Sequence, residues 1–74
     1  MENKRDNFKR ISENRVNKIL TLLSQMSNLS NTSFYEYTEE DVVKIFDAID
    51  AESSKSKKVL IDAINKKSKK KFEL

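Results

Sequence analysis

The stretch YTEEDVVKIF, residues 37–46, decides how the best-defined helix of this chain begins. Thr38 is an N-cap candidate whose hydroxyl can accept from the amide three residues on, while Asp41 reaches back in a shortened capping box. Tyr37 and Val42 have the spacing of a hydrophobic staple. The helix dipole favours negative charge in the first turn. That turn holds Glu39, Glu40 and Asp41, so a helix is predicted from residue 39.

The composition predicts an all-α protein. The 74 residues include no Gly and no Pro, and 36% of them are charged. The chain therefore lacks the easiest tight-turn residue and the usual helix breaker, which favours long helices. A chain of this length has room for one domain with little core.

The same composition lacks the residues that several enzyme classes use for catalysis and ligand binding. The chain has no Cys and no His, so it lacks the usual zinc ligands and the usual base of a nucleophilic triad. Without Gly it also lacks the residue on which phosphate-binding loops depend. We expect no enzyme activity, no cofactor, no metal site and no small-molecule substrate. The acidic turn at residues 39–41 makes a poor chelate because consecutive helical positions point in different directions.

The sequence predicts a cytoplasmic protein without a membrane contact. No disulfide is possible, and no charged segment followed by an apolar run marks a signal peptide. The longest apolar run is Val59–Ile61, far shorter than a membrane span requires.

Residues 4–27 predict a first helix with one apolar side. At about 100° per residue, Arg15 and Ser12 project from that same side, so Arg15 must extend toward water or find a partner. The apolar side consists of Phe8, Ile11, Val16, Ile19, Leu22, Leu23 and Met26.

Residues 28–37, NLSNTSFYEY, predict a connection built from Asn, Ser and Thr. Asn28 or Asn31 is expected to take the left-handed conformation that ends the first helix, since Asn tolerates it best after Gly. Three aromatic residues follow in the same connection. They are interpreted as covering the end of a helical bundle, with an exposed recognition patch as the alternative.

The second helix is predicted over residues 39–70, followed by a short basic tail. Its apolar face keeps one phase throughout, although serines occupy it at Ser53 and Ser56, and a break over residues 53–58 is the alternative. The apolar members of that face are Val42, Ile45, Phe46, Ile49, Leu60, Ala63 and Ile64.

The two apolar faces align in an antiparallel hairpin if the residue numbers of each facing pair add to 68. Arg15 then lies opposite Ser53, with Glu52 as its ion-pair partner. A single hairpin of this size leaves apolar edges uncovered, so a homodimeric four-helix bundle is predicted, using Val16, Leu20, Val43, Val59 and Ile61. The facing layers are Met26 with Val42, Leu22 with Phe46, Ile19 with Ile49, Arg15 with Ser53, Ser12 with Ser56, and Phe8 with Leu60.

The segment from Phe8 to Glu52, with NLSN followed by YEYTEEDV as its centre, resembles small, mostly uncharacterised helical proteins of Gram-positive bacteria and their plasmids, phages and integrated elements. The resemblance implies an origin in a mobile genetic element, and it carries no activity. The chain departs from the pattern at Ser27, where similar proteins have Gly, and at Ser53, where they have an apolar residue.

Charge is segregated along the chain. Residues 1–20 hold six basic and three acidic groups. Residues 21–53 hold one basic and seven acidic groups, and residues 54–74 hold eight basic and two acidic groups. A hairpin brings the two basic blocks together, which predicts non-specific contact with the phosphates of DNA or RNA. Lys outnumbers Arg by 12 to 3, which disfavours base-specific readout. The predicted contact residues are Arg5, Lys9, Arg10, Lys66, Lys67, Lys69, Lys70 and Lys71.

The sequence therefore favours a non-enzymatic accessory or regulatory protein that contacts nucleic acid. The alternative is an adaptor or inhibitor that binds a partner protein at the acidic turn end through Phe34, Tyr35 and Glu36.

Overall fold

The computed structural model describes residues 3–68 of the chain, and the side chains of residues 3–66. The described part contains two α-helices and a short 3-10 turn, and no strand. α1 spans Lys4–Ser27, the 3-10 turn spans Asn28–Ser30, and α2 spans Glu39–Ser68. The predicted all-α class with two helices is confirmed. The antiparallel pairing of the helices and the dimeric bundle remain predictions.

The chain divides between Glu36 and Tyr37 into two units, each built around one helix. In the first unit, Asn3 caps the start of α1. Its side-chain oxygen accepts from the amide of Asp6 at 2.7 Å, and its carbonyl accepts from the amide of Asn7 at 2.9 Å. The side chain of Asn3 thus engages one of the amides that an α-helix leaves without an internal partner, and its carbonyl accepts the first intrahelical hydrogen bond.

The end of α1 differs from the sequence expectation. Asn28 keeps right-handed helical dihedrals, with φ −67° and ψ −19°, and its amide donates to the carbonyls of Gln25 and Met26. The 3-10 turn then tightens the chain, and Asn31 leaves the helical region at φ −70° and ψ 100°. No described residue has a positive φ, so the left-handed conformation expected for Asn28 or Asn31 is wrong. The tighter turn engages the last carbonyls, which removes the need for a left-handed residue.

The capping box predicted at the start of α2 is confirmed. The hydroxyl of Thr38 accepts from the amide of Asp41 at 3.1 Å, and a carboxylate oxygen of Asp41 accepts from the amide of Thr38 at 2.9 Å. The amide of Val42 donates to the carbonyl of Thr38 at 3.2 Å, which closes the first turn. Asp performs here the role that Glu or Gln fills in the usual box.

α2 is one continuous helix. It passes through residues 53–58 without a break, so the phase of its apolar face holds from Val42 to Ile64. Two exposed ion pairs support it at a spacing of four residues. The Nζ of Lys44 lies 3.4 Å from Glu40, and the Nζ of Lys58 lies 2.8 Å from Asp62. Each exposed pair of this kind contributes only a few tenths of a kcal/mol.

Neither helix, as far as the chain is described, has an apolar stretch of the length needed to cross a bilayer. None of the side chains at residues 3–66 is buried. Half-buried positions are Ile11, Ser12, Leu23, Met26 and Ile49. Local hydrogen bonds and caps therefore define both helices, and each helix has an apolar face open to solvent.

Replacing Thr38 by Ala is expected to lower the free energy of unfolding by about 1 kcal/mol, because the amide of Asp41 loses its acceptor. Urea unfolding followed by circular dichroism measures the change. Thr21→Ala is the matched control, since Thr21 is an exposed residue inside α1 where Ala has the higher helix propensity. Equal destabilisation by both substitutions would contradict a capping role for Thr38.

Candidate functional site

The basic residues predicted at the start of α1 do not form one cluster. Arg5 and Lys9 are four residues apart and lie on the same side of the helix, one turn from each other. Arg10 projects about 100° further round the helix, and its guanidinium donates to the side-chain oxygen of Asn7 at 2.9 Å. The structure thus places Arg5 beside Lys9 and directs Arg10 elsewhere.

Arg5 and Lys9 form an exposed cationic pair. Both side chains are exposed, and neither is in an ion pair within the described part of the chain. Lys44 and Lys58 of α2 differ, because each lies within 4 Å of a carboxylate on its own helix. An unpaired cation presents its full charge to an anion in solution, whereas a paired one is already partly neutralised.

The remaining predicted basic residues lie at the far end of α2. Lys66 is exposed on the helix. Lys67 lies within α2, but its side chain is outside the described set. The predicted contacts Lys69, Lys70 and Lys71 fall outside the described residues altogether.

A single residue, Asn31, organises the loop after α1. Its side-chain oxygen accepts from the amide of Ser33 at 3.0 Å. Its carbonyl accepts from the amides of Phe34 at 3.1 Å and Tyr35 at 3.0 Å. Sequence reasoning considered Asn31 only as a helix end and missed this role. The Asn-x-Ser spacing is the signal, since Asn side chains commonly accept from the amide two residues on.

The loop presents its aromatic residues to solvent. Phe34 is 80% exposed and Tyr35 is 48% exposed, although the backbone that carries both is fixed by Asn31. Phe34 therefore does not cover a core in this unit. Glu36, the third residue of the alternative site, is also exposed. The arrangement presents an aromatic pair next to a carboxylate on an ordered turn.

The apolar faces of both helices are the largest uncovered feature of the described chain. Exposed apolar area of this extent usually marks an interaction surface. Side chains that are more than one third exposed include Phe8, Val16, Ile19, Leu20 and Leu22 on α1, and Val42, Val43, Ile45, Phe46, Val59, Leu60, Ile61 and Ile64 on α2.

Two polar residues interrupt the apolar face of α1. Ser12 is half-buried, and its hydroxyl donates to the carbonyl of Lys9 at 3.2 Å. That bond satisfies the hydroxyl within its own helix, so Ser12 can enter an apolar contact at small cost. Arg15 has no acidic residue three or four positions away in α1. A carboxylate partner for Arg15 therefore has to come from outside this helix.

No cation site is defined in the described residues. They contain no group of three His, Cys, Asp or Glu side chains that could hold a metal ion. A depression on α1, lined by Asn17, Lys18, Thr21 and Leu22, lies between side chains of one helix and is open to solvent.

Among known proteins, no family model, curated sequence or solved structure matches this chain. The function is therefore inferred from the geometry of the chain's own residues. That geometry offers an unpaired basic pair on α1, an ordered aromatic loop, and two uncovered apolar faces.

Proposed function

We propose that this chain is a non-enzymatic, self-associating helical protein that serves a mobile genetic element as an accessory or regulatory factor. It contacts the phosphates of nucleic acid through its basic end. The contact is supported by the exposed pair of Arg5 and Lys9, which have no carboxylate partner among the described residues, whereas Lys44 and Lys58 of α2 are ion-paired. The origin in a mobile element depends on the resemblance of NLSN and YEYTEEDV alone.

The first part of the proposal is that α1 and α2 pair as an antiparallel hairpin in which facing positions add to 68. The continuity of α2 supports it, because an unbroken helix keeps Val42 and Leu60 on one face across the serine positions. In this register every apolar layer meets an apolar layer. Pairing covers the exposed apolar faces, whose burial is the main favourable term in folding.

Polar residues meet in the middle of the proposed hairpin. Ser12 lies opposite Ser56, and Arg15 lies opposite Ser53 with Glu52 beside it. The bond from the Ser12 hydroxyl to its own helix suits it to this layer. Arg15 has no acidic neighbour on α1, so Glu52 gives it the partner that its position requires.

The second part is that two hairpins form a homodimeric four-helix bundle. A hairpin buries only one side of each helix, and a chain of 74 residues without Cys has no disulfide to add stability. Association of two copies covers the apolar edges that a single hairpin leaves exposed.

Cysteines at residues 12 and 56 test the hairpin. The double substitution Ser12→Cys and Ser56→Cys is expected to give a rapid intramolecular disulfide, because the two positions share a layer. The control pair, Asn14→Cys with Ser56→Cys, should not crosslink, since Asn14 lies on the polar side of α1. Non-reducing gel electrophoresis and mass spectrometry identify the products. Equal crosslinking of both pairs, or no crosslinking of the first, would refute the register.

The third part is the contact with nucleic acid. In the hairpin, the basic blocks at residues 1–20 and 54–74 lie at one end, with Arg5, Lys9 and Lys66 on described helix positions. Lysine-rich surfaces neutralise phosphates without reading bases, so binding should be independent of sequence and weaken steeply with salt.

Removing the unpaired cations should flatten the salt dependence of DNA binding. Each phosphate contact contributes about 0.9 to the log–log slope of affinity against salt, so Arg5→Gln with Lys9→Gln should lower the slope by up to about 1.8 per chain. The control, Lys44→Gln with Lys58→Gln, removes the same charge from ion-paired positions and should change the slope less. Fluorescence anisotropy with duplexes of unrelated sequence measures both.

An equal decrease in the salt-dependence slope for both double variants would show that DNA binding depends only on net charge and not on Arg5 and Lys9. If the unaltered protein retains no DNA at about 50 mM salt, where non-specific basic proteins bind, the nucleic-acid proposal is wrong.

A second candidate is an adaptor or inhibitor that binds a protein partner through Phe34, Tyr35 and Glu36. The observation in its favour is the 80% exposure of Phe34 on a turn that Asn31 holds in place. An exposed aromatic side chain on a fixed backbone loses little conformational entropy on binding, which is typical of an interface anchor.

A pull-down from the native host with nuclease treatment distinguishes the two candidates. An adaptor should retain its partner after nuclease, and Phe34→Ala with Tyr35→Ala should abolish capture, because truncation of a buried interface aromatic commonly costs 2 kcal/mol or more. Thr32→Ala, in the same loop, is the control that should leave capture intact. If capture of the partner protein is lost after nuclease treatment but is retained by the loop variant, the nucleic-acid contact is favoured.

A further inference from the structure

The loop after α1 presents two aromatic side chains on a fixed main chain. Phe34 is 80% exposed and Tyr35 is 48% exposed. Within the described part of the chain, neither ring contacts another ring or a cation. The amides of both residues donate to the carbonyl of Asn31, which holds the backbone that carries the rings. The loop therefore offers a partner flat aromatic surface at little cost in conformational entropy.

Glu36, the next residue, is an exposed carboxylate that forms no ion pair with any described residue. No Lys or Arg occurs in the sequence between Lys18 and Lys44. Glu40 and Asp62 differ from Glu36, because each of them pairs with a lysine of α2. A carboxylate without a nearby cation attracts a cation from outside the chain and repels a phosphate.

The ring of Phe34 and the carboxylate of Glu36 are within reach of one guanidinium group. The two residues are two positions apart, so their Cα atoms are at most about 7 Å from each other. A cation interacts with an aromatic ring from up to about 6 Å of the ring centre. The planar guanidinium of arginine can stack on a ring and donate to a carboxylate at the same time. Both residues belong to the first unit, Met1–Glu36, so the contact requires nothing from α2.

Other classes of partner fit this loop less well. The bases of single-stranded nucleic acid stack on exposed aromatic rings, but their phosphates would be repelled by Glu36. An uncharged apolar surface would cover Phe34 and leave the carboxylate desolvated without a partner. Arginine satisfies both the ring and the carboxylate, and it is enriched at protein interfaces.

We propose, on the basis of the second candidate function above, that Phe34, Tyr35 and Glu36 recognise an exposed arginine of a partner protein. The guanidinium stacks on the aromatic side chains and donates to the carboxylate of Glu36. Arginine is preferred to lysine, because an ammonium group is more strongly hydrated and does not stack on a ring. The adaptor thus has a defined chemical target, which is an arginine on the surface of the partner.

Titration with small arginine and citrulline compounds tests the loop in the intact protein. N-acetyl-arginine amide at millimolar concentration is expected to shift the NMR signals of the Phe34 and Tyr35 rings in a saturable way. N-acetyl-citrulline amide has nearly the same shape without the charge, so it should bind about threefold more weakly or less tightly still. Equal binding of the two compounds, or no shift of either ring, would overturn the proposal. N-acetyl-lysine amide should also bind more weakly, and equal binding would overturn the assignment to arginine.

Single substitutions separate the contributions of charge and ring. Glu36→Gln should weaken binding of the arginine compound about two- to fivefold, which is the range of an exposed charge pair. Phe34→Leu keeps an apolar side chain, removes the ring, and should weaken binding by a similar factor. Glu13→Gln is the matched control, since Glu13 is an exposed carboxylate within α1, and it should leave the affinity unchanged. Unchanged binding by Glu36→Gln, or an equal loss in both glutamate variants, would contradict a contact at the loop.

Failure of the arginine assignment and failure of the adaptor function are distinguishable. Suppose that a partner is captured after nuclease treatment through Phe34 and Tyr35, and that Glu36→Gln captures it equally well. That result would refute the arginine assignment and leave the adaptor function intact. Saturable binding of the arginine compound, with no partner captured through the loop, would refute the adaptor function and support the preference of the loop for a guanidinium group. Neither result changes the test of DNA binding, which uses Arg5 and Lys9.

Discussion

The apolar face on each helix is the constraint on which the rest of this protein depends. Caps and main-chain hydrogen bonds define α1 and α2, yet no side chain in the described part of the chain is buried. Helices in proteins gain most of their stability from packing of an apolar face, because each main-chain hydrogen bond largely replaces one to solvent. Burial of apolar surface is the main favourable term in folding, and the proposed hairpin and dimer would each bury part of these faces.

A chain without Gly and Pro has to end and start its helices by side-chain chemistry. Asn3, Thr38 and Asp41 engage free amides at the helix starts, and Asn31 holds three amides of the loop. The last carbonyls of α1 are met by a tightening turn, so no residue needs the left-handed conformation. Hydrogen bonds to Asn31 hold the backbone of the loop, while Phe34 remains exposed to solvent. The loop is therefore a candidate binding surface.

The distribution of charge separates structural from functional candidates. Ion pairs at a spacing of four residues occupy Lys44 and Lys58 and contribute little energy, whereas Arg5 and Lys9 keep their charge available to an anion. Arg10 projects from a different side of α1, and its guanidinium donates to Asn7. Arg5, Lys9 and Arg10 therefore do not form one basic surface. Non-specific binding of nucleic acid does not require the basic residues to form one cluster, because it depends on local charge density more than on exact geometry.

The sequence by itself determined the features that depend on period and on short-range capping. The helical class, the capping box of Thr38 and Asp41, and the phase of α2 across the serines all follow from side chains that lie three or four positions apart. Only the three-dimensional structure decided how α1 ends, that Asn31 accepts from three amides, and that the guanidinium of Arg10 donates to Asn7. Those features depend on backbone dihedrals and on competing local acceptors, which a pattern of residue types does not specify. The periodicity of a helix is a property of its sequence, whereas the path of a turn is a balance among several nearly equal hydrogen-bonding choices.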